Sequence, residues 1–160
     1  MGYIDTDIRP MKENDIPSVF EIEKLCFPTS YWKESDLLYE LKENPVSNVW
    51  VIELSNAQLG LKSICGYVDY WNTYESATIS RIAVHPDIQR QHLASELMKE
   101  VIDDCKAKKT VTITLEVRES NIAAINLYKK FGFVISHTKS HYYKDGENAL
   151  YMILEVNKHE

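Results

Sequence analysis

Apolar positions along the chain recur with a period of two in some segments and near 3.6 in others, and each change of period marks a new element. "YIDTDIRPM" predicts a short strand. Asn14 and Asp15 offer N-caps for a helix carrying Ile16, Val19, Phe20 and Ile22, with Pro17 in the first turn, where its missing N–H costs nothing. "FPTSYW" (Phe27 to Trp32) is an aromatic-rich loop. Ser35 or Asp36 caps a second helix, "LLYELKEN", which stops before Pro45. "NVWVIEL" and "KSICGYVDYW" predict two strands around the turn-like "SNAQLG", and "ATISRIAV" a third, closed by His85-Pro86.

Beyond that proline, Leu93, Leu97, Met98, Val101, Ile102 and Cys105 fall at helical spacing, and the helix ends near Lys106, Lys108 and Lys109, whose charge suits a helix C-terminus. In "VTITLEV", Val111, Ile113, Leu115 and Val117 share one face, and Thr112, Thr114 and Glu116 the other. Ser120 or Asn121 caps a helix running to Phe131, with Gly132 as its C′ residue. "FVISHT" and "ALYMILEV" close the chain around "KDGEN", whose Asp-Gly is a hairpin signal. The order β-α-α-β-β-β-α-β-α-β-β combines strand–helix–strand units with hairpins. It predicts an α/β fold: a mixed sheet with helices on both faces.

Composition narrows the partners rather than the fold. At 160 residues, 44% hydrophobic and 26% charged, the chain reads as one domain (1–160) with a real core. A net charge of −6 argues against nucleic acid and against an anionic membrane as direct partners. No apolar run approaches the ~20 residues of a membrane span, and "MGYIDTDIRP" lacks the pattern of a secretion signal. "MGYIDT" meets the short myristoylation pattern, but no polybasic patch follows to supply a second anchor. Cys26, Cys65 and Cys105 are an odd, widely spaced set that fits reduced thiols in a cytoplasm. The histidines make no ligand set at metal spacing, so no metal is expected.

Three segments carry possible chemistry. The turn Gln89-Arg90-Gln91-His92 opens a helix after a strand, where unpaired N–H groups and the helix dipole favour an anion such as a diphosphate. Its ordinary reading is a polar helix start. Glu116 sits near the end of a strand, on its polar face, where partial desolvation suits a carboxylate to general-base work; its ordinary reading is a carboxylate paired with Arg118 or a lysine. Tyr128 lies in the helix "NIAAINLYKKF", where an aromatic is usually core, yet a hydroxyl there could protonate a departing thiolate. Cys105, on an apolar stripe, reads as core, and Gly-x-Ser-x-Gly and Gly-x-x-x-x-Gly-Lys motifs are absent.

"RIAVHPDIQRQHLASELM" followed by "LEVRESNIAAINLYKKFGFV" resembles the two core motifs of the GNAT superfamily of N-acetyltransferases. With "HYYKDGENALYMIL" the resemblance is closest to its ribosomal-protein-alanine N-acetyltransferase (RimI) branch. The family pattern Q/R-x-x-G-x-G/A appears as Gln89-Arg90-Gln91-His92-Leu93-Ala94: the first glycine is missing and the second is the permitted alanine. The resemblance implies a partly split GNAT-type sheet, acetyl-CoA as cosubstrate, and a protein or peptide N-terminus as acceptor, with a small-subunit ribosomal protein as the implied substrate. It implies that Ile82, Ala83 and Val84 hold the thioester and pantetheine arm, and that Arg90, Gln91, His92, Leu93, Ala94 and Ser95 form the pyrophosphate loop. Asn121 would contact the cofactor, Glu116 would be the general base and Tyr128 the general acid.

Acceptor choice rests on loops. The aromatics of "FPTSYW" and "HYYKDGEN", Trp32 and Tyr142 first among them, are expected to bind an extended peptide. His92 is expected to serve the loop through its N–H, with ordinary helix-start dihedrals and its imidazole at the rim. Competing readings are the same fold acting on a small amine or a lysine side chain, and a non-catalytic acyl-CoA-binding module.

Overall fold

The computed structural model describes residues 4–56 and 61–157. The turn expected in "SNAQLG" falls largely on residues 57–60, outside the described residues, as do Gly2 of the myristoylation pattern and His159. Seven strands, β1 (Ile4–Pro10), β2 (Ser47–Asn56), β3 (Leu61–Thr73), β4 (Ser76–Val84), β5 (Thr112–Arg118), β6 (Val134–Lys139) and β7 (Ala149–Glu155), hydrogen-bond in the order β1-β2-β3-β4-β5-β7-β6. Among the described residues four α-helices, α1 (Ile16–Cys26), α2 (Glu34–Lys42), α3 (Leu93–Ala107) and α4 (Ile122–Lys130), complete the mixed α/β architecture expected from the periodicity. The chain divides into two compact units, Met1–Tyr70 with Arg81–Val101, and Trp71–Ser80 with Ile102–Glu160.

In the first unit, β1 and β2 pair antiparallel from Ile4↔Asn56 to Pro10↔Trp50. The apolar faces of α1 and α2 bury Ile16, Val19, Ile22 and Leu37 together with Val49, Val51, Tyr67 and Ala83 from the sheet. Asp15 is the N-cap of α1 as expected, but its side chain makes no cap hydrogen bond. Arg9 claims the carboxylate instead, with Nη1 2.7 Å and Nη2 2.9 Å from its oxygens, and also donates to Glu53 at 2.9 Å. The Arg9 guanidinium holds Asp15 below the usual carboxylate range. The helix start is thus fastened to the first strand by charge. For α2 the cap is Lys33 rather than Ser35 or Asp36; Asp36 serves by accepting the Lys33 N–H at 2.8 Å. Gly66 is required by close approach: a Cβ there would lie 2.8 Å from the Ala83 carbonyl oxygen.

The second unit is built on β5. It pairs parallel with β4 from Ser76↔Thr112 to Ile79↔Leu115, and antiparallel with β7 from Thr112↔Glu155 to Arg118↔Ala149. Ile113, Leu115 and Val117 are buried on one face, while Thr112, Thr114 and Glu116 stay half-buried on the other, as the alternation predicts. The β6–β7 pairing carries an irregularity between Ile135 and His137. The Asp-Gly hairpin signal resolves into a longer connection, residues 140–148, because β6 stops at Lys139 and β7 starts at Ala149.

Candidate active site

β4 delivers Ile82, Ala83 and Val84 to the strand end, with Ala83 and Val84 buried and Ile82 half-buried. The next residue is fixed by a backbone bond, His85 N–H donating to the Cys65 carbonyl at 2.7 Å. Residues Pro86–Gln91 then form a tight 3-10 turn with a kink at Ile88, where a plain opening turn was expected. The side chains of Gln89, Arg90 and Gln91 are outside the described set. His92 corrects one expectation. Its φ of 58° and ψ of 26° are left-handed, not helix-start values, so the position does use the freedom for which the family pattern carries glycine. Histidine is among the residues that enter this region most readily when the side chain is free, and His92 is exposed. Leu93 is then fully buried and pins the start of α3, with Ala94 and Ser95 half-buried beside it.

In the second unit Glu116 is half-buried on β5, and its Oε1 accepts from the Lys139 ammonium at 2.7 Å. The pairing with a lysine is the ordinary reading of that carboxylate; the other partner considered, Arg118, turns elsewhere. Arg118 donates to Asp145 at 2.9 Å and to Glu147 at 2.8 Å, and its guanidinium lies 4.0 Å from the Tyr143 ring centroid. Lys139 in turn sits 4.7 Å from the Tyr151 ring and 5.5 Å from that of Tyr142. Its proton is held more tightly than usual because of the hydrogen bond to Glu116. Tyr151 stands directly opposite Glu116 on β7, so register places carboxylate, cation and ring on one face.

Tyr128 is buried at 6% exposure, as an aromatic at that spacing in α4 should be. The end of the helix immobilises it. The Gly132 N–H donates to the Lys129 carbonyl at 3.0 Å and the Phe133 N–H to the Tyr128 carbonyl at 3.1 Å, with Gly132 at φ 102°. This is the reciprocal pair of a Schellman motif, and the apolar contact that accompanies it is Phe133 against Tyr128, ring centroids 5.9 Å apart. Burial, and then the neighbouring Tyr143, raise the Tyr128 hydroxyl above the ordinary phenol range. Tyr143 itself is pushed up to about 12, chiefly by burial, and it also feels the charge of Glu116. Asn121 caps α4 by accepting the Ala124 N–H at 3.2 Å. Tyr142 is exposed and packs edge-on against Tyr143, centroids 5.0 Å apart.

Sequence reasoning also missed a charged cluster in the first unit. Glu23, fully buried on α1, accepts the Trp32 N–H at 2.8 Å and the Tyr67 hydroxyl, and lies 3.4 Å from Arg81 Nε. Glu23 follows Ile22 on the buried face of α1, so its position on that face was the available signal. Cys105 is core, with burial raising its thiol to about 11. Cys26 is half-buried and its thiol lies 3.2 Å from the Val84 carbonyl. Among the described residues no cluster of His, Cys, Asp and Glu could hold a metal ion, and no helix is long and apolar enough to cross a membrane.

Comparison with known proteins places this geometry. A protein of Bacillus subtilis (strain 168) is 37% identical over 152 residues, covering 94% of this chain and 96% of its own length. The [ribosomal protein bS18]-alanine N-acetyltransferase of Salmonella typhimurium (strain LT2) is 40% identical over 152 residues, covering 92% and 95%. The crystal structure of the ribosomal-protein-S18-alanine N-acetyltransferase from Escherichia coli superposes with a TM-score of 0.81 at 28% identity, covering 98% of this chain and 97% of that one. The acetyltransferase (GNAT) family model matches residues 16–133, from the start of α1 to just past the glycine stop of α4. With its strand order, its helix-opening turn after β4 and its β5–α4 unit all inside or beside that match, the chain belongs to the GNAT family of acetyltransferases.

Proposed function

We propose that this acetyltransferase moves the acetyl group of acetyl-CoA to the α-amino group of a protein N-terminus, with a small-subunit ribosomal protein as the acceptor class. The observation that carries the reading is the near end-to-end match to an enzyme named for bS18-alanine acetylation. The work is that of a single domain spanning the chain, in the cytoplasm where ribosomal proteins are made.

Each residue has a role in that reading. The backbone of Ile82, Ala83 and Val84 lies along the pantetheine arm and thioester, and a backbone N–H donor near Val84 serves the developing oxyanion. Arg90 through Ser95 receive the pyrophosphate on the opening of α3, and Asn121 contacts the cofactor. Glu116 takes a proton from the α-ammonium, through a water, freeing the nitrogen lone pair. The amine attacks the thioester carbon, the C–N bond forms and the C–S bond breaks; the departing thiolate receives its proton from Tyr128, and the second proton, shed by the nitrogen as it becomes an amide, passes through solvent to restore the Tyr128 hydroxyl. An α-amino group with a reference pKa of about 7.7–8.0 asks little of its base. Tyr128, its hydroxyl held protonated by burial, is in the form a general acid needs and releases the proton as charge builds on sulfur. Trp32 and Tyr142 contact the acceptor.

Acetyl transfer from acetyl-CoA to a panel of short peptides with different N-termini tests this, with lysine-blocked and N-terminally blocked versions. The expected result is transfer to free α-amines, including lysine-blocked peptides, with a preference for N-terminal alanine. Transfer confined to lysine side chains or small amines, or no transfer at all, overturns it.

A further inference from the structure

The loop from Phe27 to Trp32 is held by charges rather than by its own packing alone. Its last residue donates its backbone N–H to the buried Glu23 carboxylate at 2.8 Å. Its middle is caught by Arg81, whose Nη2 donates to the Ser30 carbonyl at 2.5 Å. The same guanidinium covers both aromatic ends of the loop, 4.3 Å from the Phe27 ring centroid and 5.0 Å from that of Trp32. Arg81 and Glu23 are themselves paired at 3.4 Å, and Tyr67, from β3, donates its hydroxyl to the same Glu23 oxygen that faces Arg81. A loop whose backbone and rings converge on one buried ion pair has its conformation set by that pair.

We infer that Arg81 and Glu23 are positioning residues for acceptor recognition: together they fix loop 27–32, and with it the Trp32 ring, in the shape that reads the acceptor peptide. The inference rests on the proposed peptide acceptor and adds the device that sets its selectivity. A guanidinium is suited to the task because its planar fork serves a carbonyl, a carboxylate and two ring faces at once, which an ammonium cannot do. A buried carboxylate left without its cation is destabilising, so single variants disturb stability as well as recognition. Removing both charges separates the two effects.

The experiment compares wild type, Arg81→Lys, Arg81→Met and the double variant Glu23→Gln/Arg81→Met. Peptide KM, kcat, acetyl-CoA Kd and Tm are measured, together with hydrogen exchange of the 27–32 amides. Arg81→Met is expected to raise peptide KM about tenfold, the size of one charge-assisted hydrogen bond, to lower Tm, and to leave acetyl-CoA Kd unchanged. Arg81→Lys should fall between it and wild type. In the double variant Tm should recover, while peptide KM stays raised, the preference across the peptide panel flattens and the loop amides exchange faster. If KM recovers along with Tm, the cluster is merely structural and the inference is overturned. Unchanged KM in folded Arg81→Lys and in the double variant overturns it as well, with the proposed function left standing. Failure of wild type to acetylate any peptide removes the proposed function and the inference with it.

Discussion

The Lys139 ammonium rests 2.7 Å from one oxygen of Glu116, so the carboxylate proposed as the base already carries a fixed cation before any acceptor amine arrives. A lysine at the end of β6 supplies that cation. Glu116→Gln should lower turnover most at neutral pH and less near pH 9, where the acceptor amine is already free. A Glu116→Gln rate equal to wild type at pH 7 removes Glu116 from the mechanism.

Tyr128→Phe keeps the ring that Phe133 packs against and removes only the hydroxyl. The Schellman backbone bonds of α4 do not involve the hydroxyl, so the fold and acetyl-CoA affinity should survive. Turnover should fall on the order of 10²-fold if a general acid is lost. Full activity in the phenylalanine variant would make the tyrosine a core residue and nothing more.

Glu147 holds the connection between β6 and β7 by accepting the Ser120 N–H at 2.8 Å and Arg118 Nη1 at 2.8 Å. Hydrogen bonds from Ser120 and then Arg118 bring its carboxyl down to about 2. A carboxylate whose folded pKa is depressed contributes stability above its unfolded value, near 4.3, and loses it as pH falls through the folded one. The Tm difference between wild type and Glu147→Gln should be widest above about pH 5 and close as pH approaches 2. A difference that does not change with pH would show that the charge is not what the clamp uses.

At His92 the left-handed backbone sets what the position tolerates. A β-branched residue is a steric outlier there, so His92→Val should cost roughly 1–2 kcal/mol of stability, read from denaturant unfolding. His92→Gly trades relief of strain against a more flexible unfolded chain and should stay within about 1 kcal/mol of wild type. Acetyl-CoA affinity in the glycine variant should change by less than about tenfold, because the backbone N–H is retained. A valine variant as stable as wild type would show that the loop does not need this backbone shape.

Trp32 and Tyr142 can be separated from the donor side by kinetics. Trp32→Ala and Tyr142→Ala should each raise peptide KM while leaving acetyl-CoA affinity alone. Altered acetyl-CoA binding with unchanged peptide kinetics would move the acceptor site to other residues.

Periodicity alone determined the element order, the buried face of β5 and the stop of α4 at Gly132, because those depend on local backbone preference and on which side of an element meets the core. The motif spacing from Ile82 to Tyr128 was likewise legible, since a strand end, a helix opening and a strand–helix unit are consecutive in the chain. What partners each charge was not. Glu116 found Lys139, Arg118 found Asp145 and Glu147, and Glu23 found Arg81 and Tyr67, each across a long stretch of sequence. The dihedrals of His92 belong to the same class, set by where β4 and α3 must both go rather than by the residue's own preference. Local propensity acts over a few residues, whereas the pairing of charges is chosen by which strands lie side by side, and only the tertiary structure decides that.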